Sequence, residues 1–290
     1  MPAAAAERWA KARSYHHSLF SSRRIAAERR DSVAVCLPAR ECAATVGEIV
    51  GELLALREEG VLDEVVVVDA ASVDGTAEVA ERAGATVLQE AELMASLGPV
   101  LGKGDAMWRA LSALDTDVVC FLDADTEGFS RHFASGLLGP LVCEPRASFV
   151  KGFYRRPLHD GDGGGGRVNH LTARPALALF YPELAGVRQP LAGEVAARRD
   201  LLESLPFATG YGVEVAMLID VWREVGLDAM AQVDLDEHRN RHQPLAALEP
   251  MAATVLATIA RRVRQDGRLS GTSLDGAPLE RPALRTLAVG

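Results

Sequence analysis

The run Val118-Val119-Cys120-Phe121-Leu122-Asp123-Ala124-Asp125 sets five apolar residues directly ahead of two carboxylates spaced i, i+2. A continuous apolar segment of strand length reads as a strand covered on both faces, the mark of a parallel sheet packed between helices. Extended-chain alternation points Asp123 and Asp125 the same way just past its carboxyl end. Open α/β sheets bind their ligands at that edge. Paired oxygen donors suit a hard divalent cation, Mg²⁺ or Mn²⁺, and such a cation handles a diphosphate.

Context decides which Asp-x-Asp counts, because the triplet recurs at Asp115/Asp117, Asp160/Asp162 and Asp234/Asp236. Asp115 and Asp117 precede the strand, at the wrong end of the sheet. Asp160 and Asp162 lie in a glycine-rich loop where turn chemistry accounts for them. Asp234 and Asp236 follow a strand-like segment and precede His238-Arg239-Asn240-Arg241, which makes them a second candidate.

Outward from this strand the first half alternates: Val33–Leu37, a helix over 43–59, Val65–Asp69, a helix from Thr76, a short strand at Thr86–Leu88 and a helix from Lys103. That order predicts a mostly parallel, doubly wound α/β sheet. Phe149–Tyr154 reads as another strand, then a glycine loop, then a helix from Arg167 with a kink at Pro175. Val213–Val225 has helical spacing, Ala229–Leu235 resumes a strand, and 245–265 forms a last amphipathic helix whose Arg261, Arg262 and Arg264 suit its dipole. The implied division is an N-terminal helical or disordered extension (1–30), a first α/β half (31–155), a second half with the last helix (156–265) and a mobile tail (266–290).

The chain has 290 residues, is 48% apolar and carries a net charge of −9. A large core is affordable, and with no block of basic residues neither nucleic acid nor an anionic membrane is the expected partner. Cys36, Cys42, Cys120 and Cys143 form no C-x-x-C, so buried free thiols in a reducing, cytoplasmic setting are expected. No segment reaches the length of a membrane span. Only Lys11, Lys103 and Lys151 of the 31 basic residues are lysine.

Common nucleotide motifs fail. Val33–Leu37 is followed by Pro38-Ala39-Arg40-Glu41 rather than G-x-G-x-x-G, and Gly98 to Gly104 is one residue short of a P-loop and lacks its Ser or Thr. A Gly-flanked Lys103 at a helix start remains, suited to a phosphate or simply to the surface. Ser72 or Asp74 could cap the helix that follows, yet strand ends at 37, 69 and 122 would all open on one edge and form a crevice of nucleotide size.

Several stretches together carry a resemblance: Leu37-Pro38-Ala39, Asp69-x-x-Ser72-x-Asp74-Gly75-Thr76, Gly102-Lys103-Gly104, Asp123-Ala124-Asp125, Lys151-x-Phe153-Tyr154-Arg155-Arg156-Pro157, Gly164-Gly165-Gly166-Arg167 and His238-Arg239-Asn240-Arg241. In order and number they resemble the glucosyl-3-phosphoglycerate and mannosyl-3-phosphoglycerate synthases, retaining glycosyltransferases of GT-A fold, over about residues 33–245. The resemblance implies a nucleotide-sugar donor, a divalent cation (Mg²⁺ or Mn²⁺), 3-phosphoglycerate as acceptor, and a homodimer.

By position it places Leu37, Pro38, Ala39, Glu41 and Ser72 along the nucleotide, Lys103 near the base or phosphate, and Asp123 and Ala124 toward ribose and sugar. Asp125 and His238 would hold the metal. Gly166, Arg167 and Asn169 resemble the acceptor-phosphate loop, with Tyr211, Arg239 and Asn240 on the acceptor side. Glu214 would orient the glycerate hydroxyl or stabilise positive charge at the sugar, with Asp125 and Lys103 beside it in the catalytic set. Retention would follow from front-side attack.

Two departures bear on substrate choice. Arg40-Glu41-Cys42-Ala43 replaces the family's usual Asn-Glu-Glu, which leaves room for a guanine base, and Asn169 stands where Thr is common. GDP-mannose leads as donor, with GDP-glucose or UDP-glucose behind it. Rival readings are a sugar-1-phosphate nucleotidyltransferase, which should show a basic Gly-rich loop after its first strand, and a nucleotide-sugar sensor without turnover.

Overall fold

A computed structural model describes residues 2–157, 165–239 and 243–271. Its strands are β1 (Ser14–His16), β2 (Val33–Ala39), β3 (Glu64–Asp69), β4 (Thr86–Gln89), β5 (Val118–Phe121), β6 (Phe149–Arg155), β7 (Val195–Arg198) and β8 (Met230–Glu237). Its helices are α1 (Pro2–Ala12), α2 (Ser22–Glu28), α3 (Val46–Glu58), α4 (Thr76–Ala83), α5 (Lys103–Leu111), α6 (His132–Cys143), α7 (Arg174–Phe180), α8 (Arg199–Ser204), α9 (Val213–Val225) and α10 (Leu245–Gln265).

All eight strands share one sheet in the order β1-β8-β6-β7-β5-β2-β3-β4. β2, β3, β4 and β5 pair in parallel, with Val35 opposite both Val65 and Cys120. Their carboxyl ends therefore open on one edge, as the apolar run at 118–122 implies. Alternation along each strand divides the core in two. Val35, Leu37, Val65, Val67 and Cys120 face one layer; Ala34, Cys36, Val66, Val68, Val119 and Phe121 face the other.

Helix periodicity matches these faces. In α3, Val46, Ile49, Val50, Leu53 and Leu56 are buried at the spacing of a single helical stripe, and they join the first layer with Phe133 and Leu137 of α6. Met107 of α5, Leu218 and Ile219 of α9 and Val255 and Ile259 of α10 join the second. Each such side chain contributes ~1.5–3 kcal/mol by leaving water.

Three elements depart from the sequence expectation. β7 lies antiparallel between β5 and β6, so the sheet is parallel only in its majority. It is four residues of Val-Ala-Ala-Arg, too short and too poor in branched residues to announce a strand. Instead of a kink at Pro175, the helix from Arg167 carries a π-turn over Asn169–Ala173, the Arg174 N–H reaching back to the Asn169 carbonyl, before α7 begins with Pro175 in its first turn. Arg262 stands in the last turn of α10 as read, but it is drawn inward rather than left to the helix dipole alone. It is buried against Asp220 of α9, Nε lying 2.9 and 3.0 Å from the two carboxylate oxygens and Nη2 2.6 Å from Oδ2.

The sheet crosses the boundary read at 155, because β7 and β8 complete it. In the N-terminal segment, Trp9, Phe20 and Ile25 are buried against the body of the protein. Among the described residues no helix is long and apolar enough to cross a membrane, and the four cysteines are unpaired thiols, three of them buried.

Candidate active site

The loops after β2 and β3 are knitted together by the polar residues the sequence sets there. The Glu41 N–H donates to Ser72 Oγ (2.9 Å), the Val73 N–H to Glu41 Oε1 (3.0 Å) and the Ala43 N–H to Asp74 Oδ2 (3.0 Å). Asp74 Oδ1 also accepts from the Thr76 N–H at 3.0 Å, tightening the entry into α4. Glu41 and Ala71 adopt left-handed backbone, φ 54 and 53, a strained conformation for residues with a Cβ that tends to gather at ligand sites. Leu37 and Ala39 are buried, whereas Pro38 and Ser72 are partly open and Glu41 is exposed.

Lys103 starts α5, and glycine on both sides lets that helix start approach the segment ahead of α9. A Cβ on Gly102 would lie 3.2 Å from the Gly210 Cα, and one on Gly104 1.9 Å from the Ala208 carbonyl oxygen. That approach places Lys103 Nζ 2.6 Å from Asp123 Oδ1 and 3.1 Å from Glu214 Oε1. Burial works against the ammonium, but Asp123 and then Glu214 outweigh it and lift the lysine above its usual range. Gly193 makes room for the partner: a Cβ there would stand 2.5 Å from Asp123 Oδ1.

Asp123 and Asp125 are not presented as equivalent alternating side chains. β5 ends at Phe121 and the chain turns at Ala124 and Asp125, so strand alternation no longer governs them. Asp123 is drawn in to Lys103, and Ala124 is buried with its carbonyl accepting from Thr45 Oγ1 at 2.6 Å. Asp125 stays on the exposed lip. The surrounding protein and then Asp123 raise its pKa, opposed by His238 and Lys103. An antiparallel bridge from Glu127 to Arg239, with the Glu127 N–H 2.8 Å from the Arg239 carbonyl, folds the segment after Asp125 onto the segment after His238.

His238 is buried just beyond β8, its ring stacked on Tyr154 and edge-on to Phe133. Its Nε2 lies 3.0 Å from Thr126 Oγ1 and 3.0 Å from Glu194 Oε1. Glu194 Oε2 accepts from the Tyr154 hydroxyl at 2.6 Å, and Tyr154 in turn accepts from Arg156 Nη2 at 3.1 Å. Burial opposes a charged Glu194, but His238 and Arg156 hold its carboxyl well below the usual range, and it is ionised.

A divalent cation fits these residues. Donor atoms of Asp123, Glu194 and His238 lie within 4.8 Å of one another. One buried polar atom here, His238 Nδ1, has no hydrogen-bond partner within the protein, while Nε2 faces Glu194 Oε1. An imidazole that turns one nitrogen to a carboxylate and keeps the other unsatisfied is the arrangement in which histidine serves a metal.

A second recess of about 170 Å³ opens beside it, lined by Arg156, Gly166, Arg167, Asn169, Gln189 and Gln243 among others. Gly166 takes a left-handed φ of 72 ahead of the helix. Arg167 Nη2 donates to the Gln243 carbonyl at 2.5 Å, Asn169 Oδ1 accepts from the Leu191 N–H at 3.4 Å, and buried Arg156 Nε has no partner. Tyr211 is exposed on the turn before Glu214, and exposed Arg239 donates to Glu237 at 2.6 Å. Asn240, Gly164, Asp160 and Asp162 lie outside the described residues.

Comparison with known proteins gives this geometry a relation. The Glycosyl transferase family 2 model matches residues 34–166. The glucosyl-3-phosphoglycerate synthase of Petrotoga mobilis is 37% identical over 89% of this chain and 82% of its own length. The crystal structure of mannosyl-3-phosphoglycerate synthase from Rubrobacter xylanophilus superposes with a TM-score of 0.86 at 50% identity, covering 91% of this chain and 85% of that one. The chain belongs to the glucosyl- and mannosyl-3-phosphoglycerate synthase family. It is a hexosyltransferase of GT-A fold. A further family structure, the glucosyl enzyme of Mycobacterium tuberculosis in complex with Mn²⁺, UDP-glucose and phosphoglyceric acid, gives a TM-score of 0.78 at 39% identity, covering 90% of this chain and 88% of that one.

Sequence reading named neither Thr126, Gly193 nor Glu194, and it quoted Lys151, Tyr154 and Arg156 within the resemblance without giving them a role. Glu194 left one usable signal, a lone carboxylate against the apolar Val195-Ala196-Ala197. Lys151 is buried in β6, its ammonium donating to the Ala192 carbonyl at 2.7 Å. That bond anchors the segment leading into Gly193 and Glu194.

Proposed function

We propose that this chain transfers mannose from GDP-mannose to the glycerate hydroxyl of 3-phosphoglycerate with retention of configuration, in the presence of Mg²⁺ or Mn²⁺. The observation that carries the reading is the adjacency of two sites. Lys103, Asp123 and Glu214 meet beside the His238 and Glu194 cluster, and Arg156 connects that cluster through Tyr154 to the recess bearing Arg167. A donor diphosphate and an acceptor phosphate thus have separate, neighbouring places.

His238 would hold the cation through Nδ1, with Glu194 fixing the imidazole from the other nitrogen, and Asp123 and Asp125 are the carboxylates beside it, Asp125 being the one the family resemblance assigns. Bound there, the cation neutralises charge on the departing nucleoside diphosphate. Arg167 and the unpaired Nε of Arg156 take the acceptor phosphate, and Gly166 lets the backbone come close to it. Tyr211, Arg239 and Asn240 complete the acceptor side. Glu214, held by Lys103, orients the hydroxyl or faces the positive charge that develops at the sugar. On one face of the sugar, the leaving phosphate accepts the acceptor's proton.

Identity to the mannosyl enzyme structure, 50% against 38–39% for the glucosyl enzyme structures above and in complex with phosphoglyceric acid alone, puts mannose ahead. Guanine follows from the departure at Arg40 to Ala43, where the Glu41 side chain is engaged by Val73. UDP-glucose is the second reading, favoured by the complexes of the Mycobacterium tuberculosis enzyme. The active form is a homodimer, and its free thiols suit the cytoplasm.

A matrix of donors (GDP-mannose, GDP-glucose, UDP-glucose) against acceptors (3-phosphoglycerate, glycerol 3-phosphate), with product mass and anomeric configuration determined, tests the reading. An α-mannosyl-3-phosphoglycerate from GDP-mannose as the fastest product supports it. Preference for UDP-glucose overturns the donor assignment, and absence of any glycosylated phosphoglycerate overturns the reaction.

A further inference from the structure

Outside the crevice, the second Asp-x-Asp of the sequence meets two histidines from the other end of the chain. Asp236, in β8, receives His16 Nε2 at 3.2 Å from Oδ1 and His17 Nε2 at 2.7 Å from Oδ2. His16 belongs to β1, the edge strand paired with β8, and His17 follows it directly.

We propose that His16, His17 and Asp236 form a second metal site, selective for Zn²⁺ or a similar borderline transition metal, that clips the N-terminal edge strand to the end of β8. The donor set carries the choice of metal: with imidazoles outnumbering carboxylates two to one it favours zinc-like ions, whereas the crevice, with one imidazole among several carboxylates, suits Mg²⁺ or Mn²⁺. Their ligand atoms lie within 4.8 Å of one another. Zinc bonds of ~2.0–2.1 Å in a tetrahedron set neighbouring ligand atoms ~3.3 Å apart, close to the His16 contact at 3.2 Å and about half an ångström longer than the His17 contact at 2.7 Å.

The supporting contacts are those a ligating histidine uses. His16 Nδ1 accepts from the Ser18 N–H at 3.3 Å and lies 2.8 Å from Ser18 Oγ; metal binding at Nε2 would move the ring proton to Nδ1 and exchange that cap bond for donation to Ser18 Oγ. The His17 ring packs at a tilt against His16, at 4.4 Å, and against His132, at 4.3 Å, and His132 is itself hydrogen-bonded to the Leu235 carbonyl. Asp236 is presented from a left-handed turn, φ 65, closed by its own N–H donating to Asp234 Oδ1. Half-exposed His16 and Asp236 leave the fourth position open to water. The bond would cross-link residues 220 apart in sequence, and His238 of the catalytic crevice leaves β8 two positions beyond it.

The test is titration of Zn²⁺ into the EDTA-stripped full chain, comparing wild type with His238→Ala and Asp125→Asn in the crevice and with His16→Ala and His17→Ala at the clip. The expected result is a tight Zn²⁺ retained in both crevice variants, with affinity reduced about tenfold or more in both clip variants. Co²⁺ should give visible ligand-field bands in wild type and His238→Ala that vanish in His17→Ala. Zn²⁺ should raise the melting midpoint of wild type and not that of His16→Ala, which alters a half-exposed side chain and stands in should His17→Ala fail to fold. Equal Zn²⁺ affinity in His16→Ala and wild type, or loss of all Zn²⁺ binding in the crevice variants, would overturn the proposal and leave an Asp shared by two hydrogen-bonded histidines.

Discussion

Gly104→Ala tests whether close packing of α5 sets the catalytic crevice. The added Cβ would fall 1.9 Å from the Ala208 carbonyl oxygen and 2.9 Å from the Val213 side chain, against the 3.4 Å at which ordinary contact begins. A carbonyl oxygen cannot swing aside as a side-chain tip can, so helix and segment must part by roughly 1.5 Å. Lys103 moves with the helix start while Glu214 stays with α9, and their 3.1 Å contact opens past the ~4 Å limit of an ion pair. A misplacement of about 1 Å at a catalytic group costs ~10²-fold, or about 3 kcal/mol of transition-state stabilisation. The overpacking itself should destabilise the fold by ~1–3 kcal/mol, which lowers the melting midpoint by several degrees. The assay is nucleoside diphosphate release from donor, Mn²⁺ and 3-phosphoglycerate, run beside thermal melting and near-ultraviolet circular dichroism. Gly51→Ala, where the Cβ meets nothing within 4 Å, serves as the silent control. A folded Gly104→Ala enzyme with unchanged kcat/KM would refute the argument that this glycine positions Lys103.

Asp125→Asn should abolish transfer and leave the melting curve in place, since the side chain is exposed; retained turnover would remove Asp125 from the metal site. Arg167→Ala should raise KM for 3-phosphoglycerate while KM for the donor holds, and an unchanged acceptor KM would sink the recess as phosphate site. Asp220→Ala leaves the buried Arg262 guanidinium without its carboxylate and should cost ~3–5 kcal/mol, read by urea denaturation. Burial pushes Lys151 down to about 8 from 10.5, so between those pH values the unfolded chain holds the proton that the folded one has released. Stability should therefore rise with pH across that window, by on the order of 3 kcal/mol if it acts alone. Denaturation of wild type and Lys151→Met at pH 7 and pH 10 should show the rise in wild type and a flatter difference in the variant.

Local regularities carried the sequence reading a long way. The apolar runs at 33–37, 65–69 and 118–122 are strands because no other element hides such a run on both sides, and their shared edge follows from the right-handed crossover between parallel neighbours. Gly102-Lys103-Gly104 was legible as a special helix start, and His238 and Arg167 stand at places where their chemistry is usable. The equivalence of Asp123 and Asp125 was an overextension. It assumed that strand geometry continued two residues past the last ladder bond.

What the sequence determined by itself was the class of fold, the alternation of strands and helices through β2 to β5 and the kind of ligand to expect at the crevice edge, since periodicity and end chemistry are properties of neighbouring residues. What only the tertiary structure decided was the company each charged group keeps. Glu194 meets His238 because β7 runs antiparallel into the sheet and β8 returns beside β6, and Asp220 meets Arg262 because α10 folds back over α9. Those pairings join residues tens of positions apart, and the energy that fixes them is the burial of whole elements, which no local pattern records.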